Sequence, residues 1–208
     1  MPHALWPSQL REQFGDIDIY LFDQLLRGRI GDRATVLDAG CGTGRNLVFL
    51  ARAGLHVYGV DAGVDAIATA QRRLAEAAPQ FDPARLSVQS VDALSFANGT
   101  FDAVISSAVL HFAQDDTQFV AWVDEMWRVL APGGMLFCRL ASTIGIEDKV
   151  RPIQGRRHLL PDGTERYLVD EAWLTETTSR LGGTLMDPLK TTVVQGMRAM
   201  TTWVVKKG

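Results

Sequence analysis

Three glycines stand within five residues, at positions 40, 42 and 44, after a short β-branched run and before a helical stretch that starts at Arg45. Glycine allows a tight turn and lets a ligand touch the backbone, because it carries no Cβ atom. Asp61 ends a second apolar run, 21 positions after Gly40. A carboxylate in that place can accept hydrogen bonds from both hydroxyls of a ribose, which is the geometry that an adenosine cofactor needs.

Two further carboxylates accompany the glycine loop. Asp38 lies at the end of the first apolar run, and Asp92 lies just past the third, where it could accept a hydrogen bond from an adenine amino group. Any one of these aspartates alone is most simply a turn or cap residue, but three at strand ends beside a glycine loop favour a ligand site. The dinucleotide fingerprint G-x-G-x-x-G would need a glycine where Arg45 stands, and no G-K-[ST] of a P-loop follows.

Short apolar runs alternate with helical stretches from residue 34 onward, and this pattern predicts right-handed β-α-β crossovers. The predicted strands are 34–39, 56–60, 86–91, 101–106 and 135–139. The predicted helices are 45–53, 64–78, 117–130 and 170–181. The tail adds β-rich runs at 184–186, 189–194 and 198–206. The sequence therefore predicts an α/β fold, with a Rossmann-like, mostly parallel sheet of about seven strands, helices on both faces and a C-terminal antiparallel hairpin.

Composition excludes several classes of protein. The 208 residues, 47% of them hydrophobic, suit one globular domain, and a net charge of −3 is poor for a general nucleic-acid binder. The longest uncharged stretch, 103–114, has 12 residues, whereas a membrane-spanning helix needs about 20. No signal peptide is visible. Cys41 and Cys138 show no metal-ligand spacing, so we expect two reduced thiols in a cytoplasmic protein and no metal site.

These motifs together resemble the class I S-adenosylmethionine-dependent methyltransferases. The family's D-x-G-x-G-x-G motif matches residues 38–44, and its acidic ribose ligand matches Asp61. Asp92 is similar to the family's adenine-contacting residue, while 101–112 and 129–139 resemble its fourth-strand and fifth-strand motifs. The likeness covers 34–139, which is 106 of 208 residues. The tail looks somewhat like that of the small-molecule and tellurite-type members.

The resemblance implies in-line methyl transfer from S-adenosyl-L-methionine to a small-molecule acceptor, giving S-adenosyl-L-homocysteine, with no obligatory metal and no covalent enzyme nucleophile. It also implies a set of cofactor-binding residues: Asp38, Gly40, Cys41, Gly42, Gly44, Asn46, Asp61, Ala62, Asp92, Ala93 and Ser107. In this interpretation Cys41 is a small loop residue. The alternatives are a NAD-dependent oxidoreductase on a similar fold, which Arg45 argues against, and a non-catalytic cofactor-binding subunit.

The acceptor side is expected beyond the fourth and fifth strands. His111 and Arg139 are the catalytic candidates there, with Ser106 and Ser107 beside them. His111 is either a base or positioning group, because its pKa is ordinarily near neutral, or a packed histidine. Arg139 is equally a candidate for a strand-end salt bridge. No Asn/Asp-Pro-Pro-aromatic motif of DNA amino-methyltransferases follows the fourth strand, so a small molecule is favoured over a protein side chain or tRNA.

The segments outside the cofactor motifs give three further predictions. Residues 141–170 form an insertion with a hairpin tip at 160–164; its stretch 149–166 holds five basic and two acidic residues. This predicts a lid that binds an anionic or polar acceptor, with Arg156 and Arg157 as candidate contacts. Residues 1–33 read as two short helices, from which Tyr20 and Trp6 either close over the cofactor or pack on the domain. Residues 171–208 complete the sheet of a single domain, 1–208.

Overall fold

The computed structural model describes residues 7–208, with side chains from residue 9 onward; Trp6 lies outside the described residues. The strands are β1 Thr35–Ala39, β2 His56–Asp61, β3 Leu86–Val88, β4 Phe101–Ser107, β5 Leu130–Ser142, β6 Arg151–Gln154, β7 Arg157–Leu159, β8 Glu165–Tyr167, β9 Gly183–Leu185, β10 Lys190–Val194 and β11 Arg198–Lys207. The helices are α1 Pro7–Phe14, α2 Ile19–Leu26, α3 Arg45–Arg52, α4 Val64–Ala77, α5 Asp116–Val129 and α6 Glu171–Arg180, with short 3-10 turns at Pro83–Arg85 and Leu110–Phe112.

The main sheet confirms the predicted Rossmann-like fold. Its strand order is β10-β11-β5-β4-β1-β2-β3, and β9 adds an eighth strand by pairing with β11. Strands β1 to β5 pair in parallel, whereas β11 is antiparallel to both β5 and β10. The predicted closing hairpin is therefore β10–β11, and its second strand inserts between β5 and β10. None of the helices within residues 7–208 is long and apolar enough to cross a membrane.

Helices cover both faces of this sheet because its strands alternate their side chains between two cores. On one face Phe119, Val123 and Met126 of α5, a helical stripe, are fully buried in a cluster that includes Trp203 of β11. On the other face α3 and α4 bury Leu47 and Leu74 in a second cluster. The two cores fix each strand's register, since a one-residue slip would exchange its buried faces.

Strand order also decides where a ligand can bind. The chain moves outward from β1 to β2 and β3, and then returns to add β4 on the other side of β1. The loops that leave the carboxyl ends of β1 and β4 therefore diverge and open a crevice between them. The backbone N–H groups of Gly40 and Cys41 both donate to the Val60 carbonyl, at 2.8 and 2.9 Å, and so tie the first loop to the end of β2.

Two segments are attached near this edge. Residues 151–167 form a small antiparallel sheet, β6-β7-β8, whose tip is a turn in which Asp162 accepts hydrogen bonds from the backbone and hydroxyl of Thr164. Leu160 is buried against Ala141 and Leu168, which joins this small sheet to the end of β5. The α2 segment is held to the other end of the chain by the salt bridge between Arg29 and Asp187, at 2.5 Å.

Candidate functional site

A cavity of about 520 Å³ opens in the crevice between the loops after β1 and β4. Its wall consists of Gly40, Cys41, Gly42, Thr43, Arg45, Asn46, Asp61, Ala62, Ser90, Val91, Ser107, Ala108, Val109, Phe112 and Trp122. Seven of the eleven predicted cofactor residues are in this wall. The other four, Asp38, Gly44, Asp92 and Ala93, are not. We call this space the first cavity.

The three loop glycines meet different steric demands. All have positive φ angles, of 82°, 54° and 78° at Gly40, Gly42 and Gly44. A Cβ on Gly40 would collide with the side chain of Val109, whereas one on Gly42 would meet no atom within 4 Å. A Cβ on Gly44 would lie 3.1 Å from Ala70 and Leu74 of α4. Gly44 thus lets α3 pack against α4, a packing role that differs from the expected ligand contact.

Asp61 both braces the glycine loop and faces the first cavity. Its Oδ2 accepts from the Gly42 N–H and its Oδ1 from the Gly63 N–H, each at 2.8 Å. Each carboxylate oxygen has more than one acceptor direction, so both can also accept from hydroxyl groups of a ligand. The two backbone bonds fix the carboxylate's orientation before any ligand arrives.

Asp38 lies behind the cavity wall. Its side chain is buried, and the Nδ2 of Asn46, which is in the wall, is 3.5 Å from its Oδ2. Burial, which disfavours the charged form, raises the pKa of the Asp38 carboxyl to about 7. Asn46 also accepts, through Oδ1, from the backbone N–H of Asp18 at 3.0 Å. Asn46 therefore links the first loop to the segment that enters α2.

The raised pKa of Asp38 predicts a pH-dependent loss of stability. An unfolded aspartate ionises near pH 4, whereas the folded carboxyl keeps its proton up to about pH 7. Between these values the folded state binds more protons, so the free energy of unfolding falls as pH rises. We expect the wild-type value, relative to Asp38→Asn, to fall by about 2 kcal/mol between pH 5 and 8 in urea unfolding. A difference that stays constant over this range would contradict the raised pKa.

Asp92 and Ala93 are exposed on the turn after β3, immediately beyond Ser90 and Val91, which line the cavity. Strand β3 ends at Val88, three residues earlier than predicted, and this lets the chain turn toward the crevice. The wall also contains a residue that sequence reasoning missed: Trp122, whose indole N–H is buried without a partner among the described residues. The only signal in the sequence was its place in the predicted helix 117–130.

A second cavity, of about 400 Å³, adjoins the first. Both are lined by Arg45, Ser107 and Ala108, so these three residues mark the junction. Ala108 has a φ of 65°, one of two non-glycine residues with positive φ among the described residues, and such backbone strain is typical of functional sites. The second cavity is also lined by His111, Arg139, Ala141, Leu160, Asp162, Thr164, Arg166, Val194, Arg198 and Met200.

Asp18 organises the junction, and sequence reasoning did not find it. Its Oδ1 accepts from the Tyr20 N–H at 2.9 Å, which caps α2. Its Oδ2 lies 3.1 Å from Arg45 Nη2, 3.2 Å from Ser107 Oγ and 3.5 Å from Arg139 Nη1. The Asp18 side chain is only 2% exposed, whereas those of Arg45 and Arg139 are 43% and 22% exposed, so the buried carboxylate anchors two partly exposed guanidiniums. The sequence offered only its place ahead of a helix, the signal of an ordinary N-cap.

His111 sits on the 3-10 turn after β4 and is buried, with its Nδ1 accepting from the Ala141 N–H at 3.3 Å. Burial, and then the charges of Arg166 and Arg139, lower its pKa to about 4. The ring is therefore neutral near pH 7. With Nδ1 used as the acceptor, Nε2 carries the hydrogen. In this arrangement His111 can donate a hydrogen bond but is not poised to take a proton, which favours positioning over general-base catalysis.

Arg139 and Tyr20 form one unit beside the second cavity. The Arg139 guanidinium lies 5.1 Å from the centre of the Tyr20 ring, and the Tyr20 hydroxyl is hydrogen-bonded to Thr192 of β10. Tyr20 is absent from the wall of the first cavity, so the structure does not place it over the expected cofactor position. Ser106 is fully buried and belongs to neither wall.

Arg156 and Arg157 do not line either cavity, contrary to the lid hypothesis for these two residues. Arg156 binds Asp170 at 2.7 Å and lies over Trp173, while Arg157 binds Glu165 at 3.0 Å. In the β7–β8 register Arg157 is opposite Tyr167, and Arg166 is opposite His158. Since successive residues of a strand face opposite sides, Arg157 and Arg166 occupy opposite faces of the small sheet, and Arg166 is the one that lines the cavity.

Comparison with known proteins shows which families this chain is similar to. Residues 36–134 match a family model described as a methyltransferase domain. The ubiquinone biosynthesis O-methyltransferase of Xylella fastidiosa is 33% identical over 144 residues, covering 64% of this chain and 53% of that protein. The chain thus spans about half the length of the curated relatives it matches.

Two solved structures show the same fold. A S-adenosylmethionine-dependent methyltransferase from Methanosarcina mazei superposes with a TM-score of 0.72 at 20% identity, covering 88% of this chain and 96% of that one. The 1,6-didemethyltoxoflavin N1-methyltransferase of Burkholderia thailandensis, solved with 1,6-didemethyltoxoflavin and S-adenosylhomocysteine bound, gives 0.67 at 19% identity, covering 90% and 75%. At identities of 20% or less, these likenesses show a shared fold alone.

Proposed function

We propose that this chain is a class I S-adenosylmethionine-dependent methyltransferase, and that it transfers a methyl group from S-adenosyl-L-methionine to a small polar or anionic molecule. The match of residues 36–134 to a methyltransferase-domain model and the shared fold support this. The observation that carries the proposal is the pair of joined cavities. The first has a glycine loop and an oriented carboxylate, Asp61, and the second has polar side chains and meets it at Ser107 and Ala108.

The wall of the first cavity fits an adenosine-containing cofactor. Asp61 has acceptor capacity left for the two ribose hydroxyls, and the open space above Gly42 admits a ligand against the backbone. Trp122 and Val91 offer apolar surface for an adenine ring, and Asp92, on the adjoining turn, accepts from its amino group. Asn46, which is in the wall and has Asp38 behind it, would hold the amino-acid end of the cofactor. Arg45 stands where the dinucleotide motif has its third glycine, and its side chain is hydrogen-bonded to Asp18 and Ser107. This departure from the motif disfavours a nicotinamide cofactor.

S-adenosylmethionine supplies, when bound, a methyl group on a positively charged sulfur. The acceptor's nucleophilic atom forms a bond to that carbon as the carbon–sulfur bond breaks, and the bonding electron pair stays on sulfur. The chain's own contribution is to align the acceptor and to exclude water. We propose that Arg139 and neutral His111 do this by donating hydrogen bonds to the acceptor, and that Ser107, whose O–H is donated to Asp18, offers it a lone pair. Any proton that the acceptor loses leaves to solvent.

Calorimetric titration with S-adenosylhomocysteine and, separately, with NAD tests this function. We expect S-adenosylhomocysteine to bind and to raise the melting temperature, as any ligand specific for the folded state does, and NAD to do neither. Binding of NAD without binding of S-adenosylhomocysteine would overturn the proposal. A screen of small acceptors, followed by detection of S-adenosylhomocysteine as product, then separates a catalyst from a protein that only binds the cofactor.

A further inference from the structure

Two arginines in the wall of the second cavity form no salt bridge with a described residue, although the charges of both help to lower the pKa of the nearby Asp162 carboxyl. Arg166 of β8 donates to the Glu165 carbonyl and lies 4.9 Å from the ring centre of Phe112. The Arg198 side chain, at the start of β11, makes no hydrogen bond to any described residue. Within residues 9–208 neither guanidinium has a carboxylate oxygen closer than 4.0 Å. By contrast, Arg156 and Arg157 of the same segment are paired with Asp170 and Glu165.

The charge of the second cavity is therefore unbalanced. Four guanidiniums line it, those of Arg45, Arg139, Arg166 and Arg198, and Asp162 is the acidic residue in the wall. Asp18 adds a second carboxylate from outside the wall, but it is bound to Arg45 and Arg139 together. The Asp162 carboxylate is engaged by its own turn, through Thr164. Since His111 is neutral, the balance is two positive charges in excess.

A buried donor without a partner lies in the same wall. The Nε–H of Arg139 is inaccessible to water and has no acceptor among the described residues. An unsatisfied buried donor of this kind costs free energy unless something accepts from it. The guanidinium group presents its N–H donors in a fork that matches the oxygens of a carboxylate or a phosphate, and like charges around a concave surface attract such anions.

We infer that the second cavity binds its acceptor through an oxyanion group, a carboxylate or a phosphate, held by Arg166 and Arg198. This inference rests on the proposed function, which makes the second cavity the acceptor site. The rest of the acceptor extends from these two arginines toward Ser107 and Ala108, where the cavities join. The oxyanion is thus a handle that positions a different atom of the same molecule for methylation.

Titration with three small probes tests the oxyanion site directly. Benzoate, phenyl phosphate and neutral benzyl alcohol are added to ¹⁵N-labelled protein, with and without saturating S-adenosylhomocysteine, and dissociation constants are taken from the amide shifts. We expect at least one anion to bind about 10-fold or more tightly than benzyl alcohol. The ratio of the benzoate and phenyl phosphate constants tells which oxyanion the site prefers.

Three variants locate the binding. We expect Arg166→Gln or Arg198→Gln to weaken the bound anion by about 3- to 10-fold, and the double variant by more than about 10-fold. Arg151→Gln is the matched control, because Arg151 is an exposed arginine of the same small sheet and lines neither cavity. Unchanged S-adenosylhomocysteine affinity shows that each variant is folded, since neither arginine is in the first cavity.

The outcomes distinguish this inference from the function beneath it. Anions that bind no better than benzyl alcohol, or that bind equally well to the double variant, overturn the oxyanion site while S-adenosylhomocysteine binding leaves the proposed function intact. If Arg151→Gln weakened anion binding as much as Arg166→Gln or Arg198→Gln did, the binding would depend on overall charge, and the oxyanion site would be overturned. If wild-type protein binds the anions but not S-adenosylhomocysteine, the proposed function fails and the anion site stands as a site of another kind.

Discussion

Replacing Asp61 by alanine should weaken S-adenosylhomocysteine binding by about 100-fold or more. The change removes a carboxylate proposed to accept two ribose hydroxyls, and each such charge-assisted bond contributes about 1.5–3 kcal/mol. It also leaves the N–H groups of Gly42 and Gly63 without the acceptors that orient the loop. Calorimetry of the two proteins gives the ratio of dissociation constants.

The companion variants separate ligand contact from loop support. Asp61→Asn keeps one oxygen acceptor, so its affinity should fall between those of wild type and Asp61→Ala. Asp65→Ala is the matched control, because Asp65 is an exposed carboxylate in the first turn of α4 and lies outside the cavity wall. Affinity within about 3-fold of wild type in a folded Asp61→Ala protein would show that Asp61 is not the ribose ligand.

Replacing Asp18 by alanine should lower the free energy of unfolding by about 3–5 kcal/mol, because it breaks a buried ion pair from one side. Arg45 and Arg139 would lose the carboxylate that they share, and α2 would lose its N-cap. A lost N-cap alone costs about 1 kcal/mol. Urea unfolding of Asp18→Ala and Asp18→Asn separates these effects, since asparagine can still cap α2 but carries no charge.

The surface pair of Asp23 and Arg27 provides the control for this measurement. Asp23→Ala breaks an ion pair in which the two side chains are 34% and 44% exposed, and such pairs contribute about 0–1 kcal/mol. We expect Asp18→Asn to be at least about 2 kcal/mol less stable than wild type. If Asp18→Asn is instead as mild as Asp23→Ala, the junction does not depend on the charge of Asp18.

Most of the protein residues around the first cavity could be predicted from the sequence because their signals are local. Glycine spacing reports backbone conformations, and Gly40, Gly42 and Gly44 all have the positive φ that only glycine adopts easily. Asp61 is the last residue of β2, and the carboxyl ends of parallel strands share one edge of the sheet. The same reasoning assigned Gly44 to the ligand, which stays a prediction; its lack of a Cβ also lets α3 pack against α4.

The residues that line the second cavity could not be predicted in the same way. Arg156 and Arg157 were chosen from the charge of the insertion, but the register of β7 and β8 turns Arg157 away and brings Arg166 in. His111 was found from its motif, yet its role depends on a hydrogen bond from the Ala141 backbone N–H of β5, which no sequence pattern indicates. It also depends on burial, which lowers the pKa of the ring.

The sequence by itself determined the fold class, the glycine loop and the carboxylate that faces it, because periodicity and turn chemistry act over a few residues. Only the tertiary structure decided which side chains line the second cavity. Asp18, Arg139, Arg166 and Arg198 come from four separate segments. They meet because β11 inserts antiparallel beside β5 and because α2 and the small sheet close over the same edge. Contacts between residues this far apart in the chain depend on strand order and register, which no local pattern encodes.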